Sequence, residues 1–396
     1  MNNQLTLEEI YKAYLDCRKN KRNTINALKF EFKLEENLYS LFMDLNNNSY
    51  KTGRFICFVI TDPKPREIFA SDFRDRIVHH ILIREIEVIW EKRFIFDSYS
   101  CRLGKGTHFC VNRLKRFIRK ITENHAKKAY YVQLDISGFF MGIDKKILYS
   151  LISHRIKKEN KPETWKNKIL WLSKIIIFND PTENCIYKGD KNLIKLIPDR
   201  KSLFKVKKGK GLPIGNYSSQ FFANIYLNEL DQFVKRELKC KYYVRYVDDF
   251  ILVSEDPEEL KMWRNKIELF LDEKLKLKLA HNKQRFQSTD KGIDFLGYFI
   301  NPKYSLIRKR VLRNLKRKLF YYNRDLFNCG EPDKEFLLKV VSCINSYYGH
   351  FRHANSFNLR KHLYKKHFGI LKRFFVPANL EVTHFKIRSE FKNQTI

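Results

Sequence analysis

Residues 241–255, "KYYVRYVDDFILVSE", place two adjacent carboxylates, Asp248 and Asp249, between two strongly apolar, β-rich runs. The runs "YYVRYV" and "FILVS" predict a β-hairpin with the acids at its tip. Asp is a common turn residue, so an isolated Asp-Asp would say little. Here the flanks imply a buried sheet, and a carboxylate pair at the end of a buried sheet is costly without a cation.

A third carboxylate closes another apolar run. "KAYYVQLDISGFF" predicts a buried strand ending at Asp135, with a helix starting soon after at "DKKILYSLISHRI". Three such acids suit a divalent metal, because Mg²⁺ takes oxygen ligands and keeps positions open for water and substrate phosphates. Two ions about 3.5–4 Å apart can activate an attacking hydroxyl and neutralise a leaving pyrophosphate.

Outward from these strands, "LEEIYKAYLDCRK" predicts an amphipathic helix with Ile10, Tyr11 and Tyr14 on one face. "FICFVITDPKPREIFAS" reads as strand, turn and strand, broken by Pro63 and Pro65. A long helix is predicted from Asp72, with Ile77, Ile81, Ile86 and Ile89 near helical spacing. Residues 155–210 are basic and irregular apart from a Trp-containing helix at 165–177, as an insertion would be. "LPIGNYSSQ" (212–220) predicts a loop entering a helix at Ser219, with Ser218 or Ser219 as cap.

The chain has 396 residues, 43% of them hydrophobic, enough for two or three domains with a real core. Lys and Arg number 78 against 44 Asp and Glu, a net charge of +34 that points to a polyanionic partner. Aromatics interleaved with basic residues, as in "RKLFYYNR" and "YYGHFRH", favour nucleic acid over a membrane surface, because bases stack on aromatic faces. From Asn301 onward 21 Lys and Arg stand against 6 Asp and Glu, which predicts a separate basic helical region.

Eight cysteines without a CxxC pair, an N-terminus without a secretory pattern and no apolar run near 20 residues predict a reduced, soluble, cytoplasmic protein. "GKGLPIG" lacks the ending of a phosphate loop. His79 and His80 are adjacent and so point in different directions, which makes a zinc site there improbable. His350 and His353 lie about one helical turn apart without clear partner ligands, and backbone or phosphate contacts are expected of them.

Together, "LDISGFF", "LPIGNYSSQ" and "YVDDF", in this order and separation, resemble the palm of reverse transcriptases. "PREIFASDFRDRIVHH" resembles the fingers, "FDSYSCRLGKGTH" the segment that follows, and "LKLKLAHNKQR" and "IDFLGY" the later palm. The resemblance implies an α+β right-hand polymerase: N-terminal helices and fingers over 1–125, a palm of antiparallel sheet plus helices over 126–300 with a fingers insertion at about 150–208, and a basic helical thumb over 301–396.

The same resemblance implies roles. Asp135, Ile136, Asp248 and Asp249 would form the metal-binding set for two Mg²⁺ ions, with Mn²⁺ as an alternative, and the three acids would be catalytic. Lys64, Arg66, Phe140, Ile214, Gly215, Gln220 and Lys283 would bind the incoming nucleotide. Within that set, Phe140 would block a ribonucleotide's 2′-hydroxyl, Arg66 would contact base and phosphates, and Lys283 would aid proton delivery to pyrophosphate. Phe295, Leu296, Gly297 and Tyr298 would form the primer grip, with Gly297 allowing close approach of the primer. The partners implied are template RNA, primer, cDNA and deoxynucleoside triphosphates, with no membrane.

Group II intron enzymes typically carry Gln where this chain has Ile214, and Ser-Pro where it has Ser219-Gln220. "IGNYSSQ", "DSYSCRLGKGTH" and "SYYGHFRHANSFNLRK" are similar to reverse transcriptases of diversity-generating retroelements. That branch implies error-prone copying of a template-repeat RNA at adenines, and a small basic oligomeric accessory protein. A group II intron, retron or phage-defence reverse transcriptase is the nearest alternative. A non-catalytic RNA-binding scaffold is a distant one, against which the three intact acids argue.

Overall fold

The computed structural model describes residues 5–19, 21–62, 64–329 and 332–391, with the side chain of Cys329 left aside. Pro63 therefore lies outside the described residues. The chain forms two compact units: one of residues 1–106, 132–252 and 258–285, the other of 107–131, 253–257 and 286–396.

The first unit opens with three helices, α1 (Leu7–Arg18), α2 (Ile25–Glu31) and α3 (Leu34–Asn46). A reciprocal cap starts α1: Glu9 N donates to Thr6 Oγ1 at 3.2 Å, and Thr6 N donates to the Glu9 carboxylate at 2.8 Å. The buried face is Ile10, Ala13, Tyr14 and Cys17. Tyr11, expected on that face, is 43% exposed. One residue is about 100° of helix, so Tyr11 cannot share the stripe that Ile10 and Tyr14 define.

Strands β1 (Phe55–Ile60) and β2 (Arg66–Ala70) pair antiparallel, as the sequence predicts. Helix α4 (Phe73–Glu91) follows, at the predicted start, and Asp72 is its cap, the side chain accepting from Arg74 N at 3.0 Å. Asp75, buried on the first turn of α4, accepts from Tyr50 Oη at 2.7 Å and Gly53 N at 2.8 Å, which ties the approach to β1 onto the helix.

After α5 (Thr107–Ile121), which belongs to the second unit, β3 (Tyr130–Asp135) ends at the predicted acid. A short helix α6 (Phe139–Gly142) precedes α7 (Lys145–Lys157). The segment read as an insertion holds α8 (Glu163–Phe178), a strand β4 (Cys185–Tyr187) and a series of 3₁₀ turns. It is less irregular than its composition suggests, because β4 pairs parallel to β1 and completes the sheet β2-β1-β4.

Helix α9 (Tyr217–Gln232) is buried on nearly every side, as a helix in the middle of a core must be. It begins two residues earlier than expected, at Tyr217, with Asn216 at the cap position. Ser218 and Ser219 lie buried inside the first turn and do not cap it. Asn216 makes no side-chain cap bond either, because its Oδ1 accepts from Ser71 N at 3.2 Å and Ser71 Oγ at 3.0 Å.

The predicted hairpin is present as β5 (Tyr242–Tyr246) and β6 (Asp249–Ser254), followed by α10 (Pro257–Leu275) and β7 (Arg285–Ser288). These strands form a sheet in the order β5-β6-β3-β7, so the strands carrying the acids, β3 and β6, are direct neighbours.

In the second unit, β8 (Ile293–Phe295), β9 (Tyr298–Ile300) and β10 (Ser305–Ile307) make a small antiparallel sheet. Three helices follow: α11 (Lys309–Cys329), α12 (Lys334–Phe351) and α13 (Phe357–His367). On α11, Leu315, Leu319 and Leu326 are buried, while Arg313, Arg317, Phe320 and Arg324 share an exposed face. The unit ends with a hairpin of β11 (Phe375–Pro377) and β12 (Phe385–Ile387). No helix of the described residues is long and apolar enough to cross a membrane, and the cysteines described are all free thiols.

Candidate active site

Asp135 is the last residue of β3 and Asp249 the first of β6, with Asp248 in the turn before it. The backbone joins them: Ile136 N donates to the Asp248 carbonyl at 3.3 Å, and Ala280 N donates to the Asp135 carbonyl at 2.8 Å. Ile136 itself is core, 1% exposed, and that amide is its recorded link to the acids.

The acids press on one another. Burial first, and then the charge of Asp135, push Asp248 up to about 6, although Lys283 and Arg66 pull the other way. Burial also raises Asp249, to about 7, against a hydrogen bond from Gln133 that favours its charged form; the charges of Asp135 and Asp248 add to the rise. Gln133 Nε2 donates to both Asp249 oxygens, at 3.0 and 3.3 Å.

Oxygen donors crowded in this way are the kind of set that Mg²⁺ takes, and a bound cation would offset their repulsion. Among the described residues no three His, Cys, Asp or Glu side chains form a ready-made metal cage. Lys283, on a 3₁₀ turn at His281–Lys283, ion-pairs with the Asp135 carboxylate.

The turn bearing Asp248 is held from behind. Val247 has φ 56, a left-handed conformation that a β-branched side chain adopts only under constraint. Arg245, 1% exposed, supplies that constraint: its NH1 donates to the Val247 carbonyl at 3.0 Å and to Asn224 Oδ1 at 3.4 Å. Its Nε and NH2 donate to Asp231 at 2.7 and 2.6 Å, and NH2 also reaches Ser98 Oγ at 3.3 Å. The guanidinium thus spans α9, the segment around Ser98 and the turn, with all five N–H groups engaged.

Phe55, Cys57, Phe69, Met141 and Leu203 form an apolar cluster, and both Phe140 and Ile214 pack against it half-buried. Phe139, by contrast, is 2% exposed core. The loop of Ile214 is stitched on both sides: Phe69 N donates to the Ile214 carbonyl at 2.8 Å, and Leu212 N donates to the Phe140 carbonyl at 2.9 Å. Gly215 has φ 123.

Arg66 opens β2 and is exposed, and its charge reaches Asp248; Lys64 is exposed on the preceding turn. Gln220 does not join this group: it is exposed on α9, where its Oε1 accepts from Cys101 Sγ at 3.0 Å. His79 lies near Ser218, Nδ1 to Oγ 3.4 Å, while the His80 ring stacks on Tyr217 at 5.0 Å, so the two imidazoles do point to different partners.

In the second unit, Phe295 and Tyr298 are buried at the ends of β8 and β9, and Leu296 and Gly297 form the turn between them, with φ 50 and 89. A side chain at Gly297 would meet the His350 ring at 2.8 Å, so the turn's close neighbour is that imidazole. Tyr298 Oη donates to the His350 carbonyl at 2.7 Å and lies 3.0 and 3.1 Å from His108 Nδ1 and His350 Nδ1.

Sequence reasoning passed over Gln133 and Arg245. The signal for Gln133 was available, because a polar residue two positions before Asp135 shares its face of the strand. None marked Arg245, whose partners run from Val247, two residues away, through Asp231 on α9 to Ser98 on a distant segment.

A sequence model of the family described as "Reverse transcriptase (RNA-dependent DNA polymerase)" matches residues 61–300. Among curated proteins, the chain is 23% identical over 320 residues to Protein YkfC of Escherichia coli (strain K12), covering 72% of this chain and 75% of that protein. It is 23% identical over 351 residues to the group II intron-encoded protein LtrA of Lactococcus lactis subsp. cremoris, covering 72% of this chain and 53% of LtrA. A solved telomerase from Candida albicans, in complex with a TWJ fragment of telomeric RNA, superposes with a TM-score of 0.50 at 13% identity, over 81% of this chain and 56% of that one. That likeness is one of fold, and the fold is the mixed α+β right-hand architecture expected from the sequence. The chain spans about half the length of LtrA and of the telomerase chain.

Proposed function

The chain belongs to the reverse transcriptase family, and on that premise we propose that it is an RNA-directed DNA polymerase whose reacting centre is Asp135, Asp248 and Asp249. The observation that carries this reading is the β3–β6 junction, where three carboxylates share one electrostatic environment with Arg66 and Lys283. Asp135 and Asp248 would hold two Mg²⁺ ions, with Asp249 completing the set; Mn²⁺ is the alternative. When bound, the ions supply a lowered pKa at the primer 3′-hydroxyl and charge neutralisation at the triphosphate.

The protein's own groups do the rest. Arg66 and Lys64 grip phosphates, Phe140 and Ile214 wall the sugar and nascent base pair against their apolar cluster, and Lys283 stands ready to give a proton to leaving pyrophosphate. Fingers span 1–125 and the palm 126–300, which includes the primer grip at Phe295, Leu296, Gly297 and Tyr298. The thumb spans 301–396, and its α11 face, Arg313, Arg317, Phe320 and Arg324, combines cations with an aromatic as a nucleic-acid surface does. Template RNA, primer, cDNA and deoxynucleoside triphosphates are the ligands, and the cytoplasm the compartment.

Primer extension on RNA with Mg²⁺ tests the reading. The wild type should extend, and the Asp248→Ala/Asp249→Ala protein should not. Equal extension by both would remove the acids from the chemistry, and none by either would favour an RNA-binding scaffold.

Within the family we assign the chain to diversity-generating retroelements, copying a template-repeat RNA with errors at adenines beside a small basic accessory protein. Ile214 supports this, because it offers only apolar contact where group II intron enzymes typically place a Gln. A lost hydrogen bond is worth about 0.5–1.5 kcal/mol, enough to relax discrimination up to about tenfold. A second reading, an intron-type enzyme, is favoured by the match to LtrA. Sequenced cDNA separates them: Ile214→Gln should lower misincorporation opposite template adenine, and an unchanged error spectrum would count against the assignment.

A further inference from the structure

The function proposed so far gives no role to the imidazoles of His108, His350 and His353, yet they gather around one hydroxyl in the second unit. Tyr298, fully buried at the start of β9, donates from Oη to the His350 carbonyl at 2.7 Å. The same oxygen lies 3.0 Å from His108 Nδ1 and 3.1 Å from His350 Nδ1. Burial holds this hydroxyl above the usual tyrosine range, so it keeps its proton. Two oxygens 2.7 Å apart need that proton between them, and a hydroxyl has no second one to give. Tyr298 Oη therefore accepts from both imidazoles, which fixes each with its proton on Nδ1.

The remaining nitrogens fit neutral rings. His350 Nε2 is buried without a hydrogen-bond partner. His353 Nε2 accepts from Arg352 Nε at 3.3 Å, and the His353 ring stacks on His108 with centroids 3.6 Å apart. Burial lowers all three imidazoles. The charges that reach them are their own and those of Arg352 and Lys115, all positive. Against these stands the Gly297 backbone beside His350, which favours a proton on that ring. Of the two contacts expected for His350 from the sequence, backbone or phosphate, the backbone one is present, and neither ring nitrogen is left for a phosphate.

The turn beside it needs holding. Leu296 and Gly297 join Phe295 to its strand partner Tyr298, and both have positive φ, 50 and 89. A leucine persists in that conformation only under outside constraint. Gly297 is clasped on two sides: its carbonyl accepts from Arg308 N at 2.9 Å, and a Cβ added to it would stand 2.8 Å from His350 Nε2. Through Tyr298 the same imidazole also fixes the residue that follows the turn.

We infer that His350 is a positioning residue for the Leu296–Gly297 turn, acting with Tyr298 and His108 as a neutral clasp that sets how the turn meets the primer. The inference rests on the primer-grip reading of residues 295–298. A proton added at His350 Nε2 would draw the Gly297 carbonyl away from Arg308 N and place a cation beside His108, so acid should disturb the turn.

Binding of a primed RNA template without nucleotide, followed by fluorescence anisotropy, tests this together with primer extension titrated in primed template. His350→Leu and Tyr298→Phe should each weaken binding and raise the KM for primed template about threefold to tenfold. The KM for nucleotide should stay within about twofold of wild type. His350→Asn, whose amide nitrogen can stand where Nδ1 stood and does not titrate, should recover most of the loss. From about pH 7.5 to 5, wild-type affinity should fall more steeply than that of His350→Asn. His362→Leu, which removes an exposed imidazole on α13 of the same unit, should behave as wild type. ¹⁵N-histidine spectra at neutral pH should show an Nδ1–H signal that His350→Asn removes.

Wild-type affinity in His350→Leu overturns the proposal, as does an equal loss in His362→Leu or in His350→Asn. Parallel pH slopes for wild type and His350→Asn, or a proton on Nε2 of His350 at neutral pH, overturn it too. If the wild type extends no primer but His350→Leu still loses affinity for primed template, the clasp stands and the polymerase reading falls. If the wild type extends and His350→Leu binds and extends equally well, the clasp falls and the polymerase reading stands.

Discussion

Replacing Gly215 with alanine probes the link between backbone conformation and the loop of Ile214, which we propose faces the nucleotide. At φ 123 the residue is well beyond the left-handed region near +57° that Asn and Asp tolerate, so an L side chain there carries about 1–3 kcal/mol of backbone strain. The new Cβ would also stand 2.8 Å from Ile68 Cγ2 and 3.1 Å from the Phe69 carbonyl oxygen. The Ile68 methyl can rotate away. The Phe69 carbonyl belongs to β2, and shifting it loosens the 2.8 Å bond from Phe69 N to the Ile214 carbonyl, worth about 0.5–1.5 kcal/mol.

The two effects sum to a loss of about 1.5–4.5 kcal/mol. Part of that is relieved if the loop backs away from β2, which lifts Ile214 off the cluster of Phe55, Phe69 and Leu203. Urea unfolding should therefore show a lowered midpoint, and nucleotide titration in primer extension a raised KM. Gly349→Ala is the matched control: it lies inside α12 with no atom within 4 Å of an added Cβ, and should be neutral or stabilising by about 0.5–1 kcal/mol. A Gly215→Ala protein with wild-type midpoint and KM would refute the strain argument.

Arg245→Lys keeps a cation for Asp231 but gives up the planar fork that reaches Val247, so kcat should fall about tenfold. Adding Val247→Asn, which tolerates the left-handed backbone, should recover part of that loss, and a double-mutant cycle at matched folded fraction measures it. His79 is 4% exposed, and burial, with His80 and Arg76 adding, holds it at about 3, so it folds as the neutral imidazole. Its contribution is complete above pH 6.5 and is lost as pH falls from there toward 3, by about 1.4 kcal/mol per pH unit. Urea midpoints between pH 7 and 5 should drop less steeply in His79→Gln. Phe140→Ala should raise ribonucleotide over deoxyribonucleotide incorporation about tenfold, read by paired nucleotide titrations, and unchanged discrimination would remove Phe140 from the sugar contact.

Much of the frame was legible in the sequence because it depends on neighbours a few residues apart. The alternation and β-branching of "YYVRYV" and "FILVS" give β5 and β6, Asp72 caps α4, and the apolar run before Asp135 ends where β3 ends. Where distant groups compete, local reading fails. Asn216 stands at the cap position of α9, but Ser71, 145 residues away, takes its oxygen, and the serines expected to cap are buried inside the helix.

The sequence by itself determined the strands, their terminal acids and the order of the motifs, since propensity, periodicity and turn chemistry act over a few residues. Only the tertiary structure decided what those acids experience: that Gln133 steadies Asp249, that Arg245 reaches from Asp231 to the strained Val247, and that Glu67 on β2 accepts from Ser202. Burial and charge set those properties, and both arise only when separate elements are brought within a few ångströms, as with Gln133 and Asp249, 116 residues apart, and Glu67 and Ser202, 135 apart.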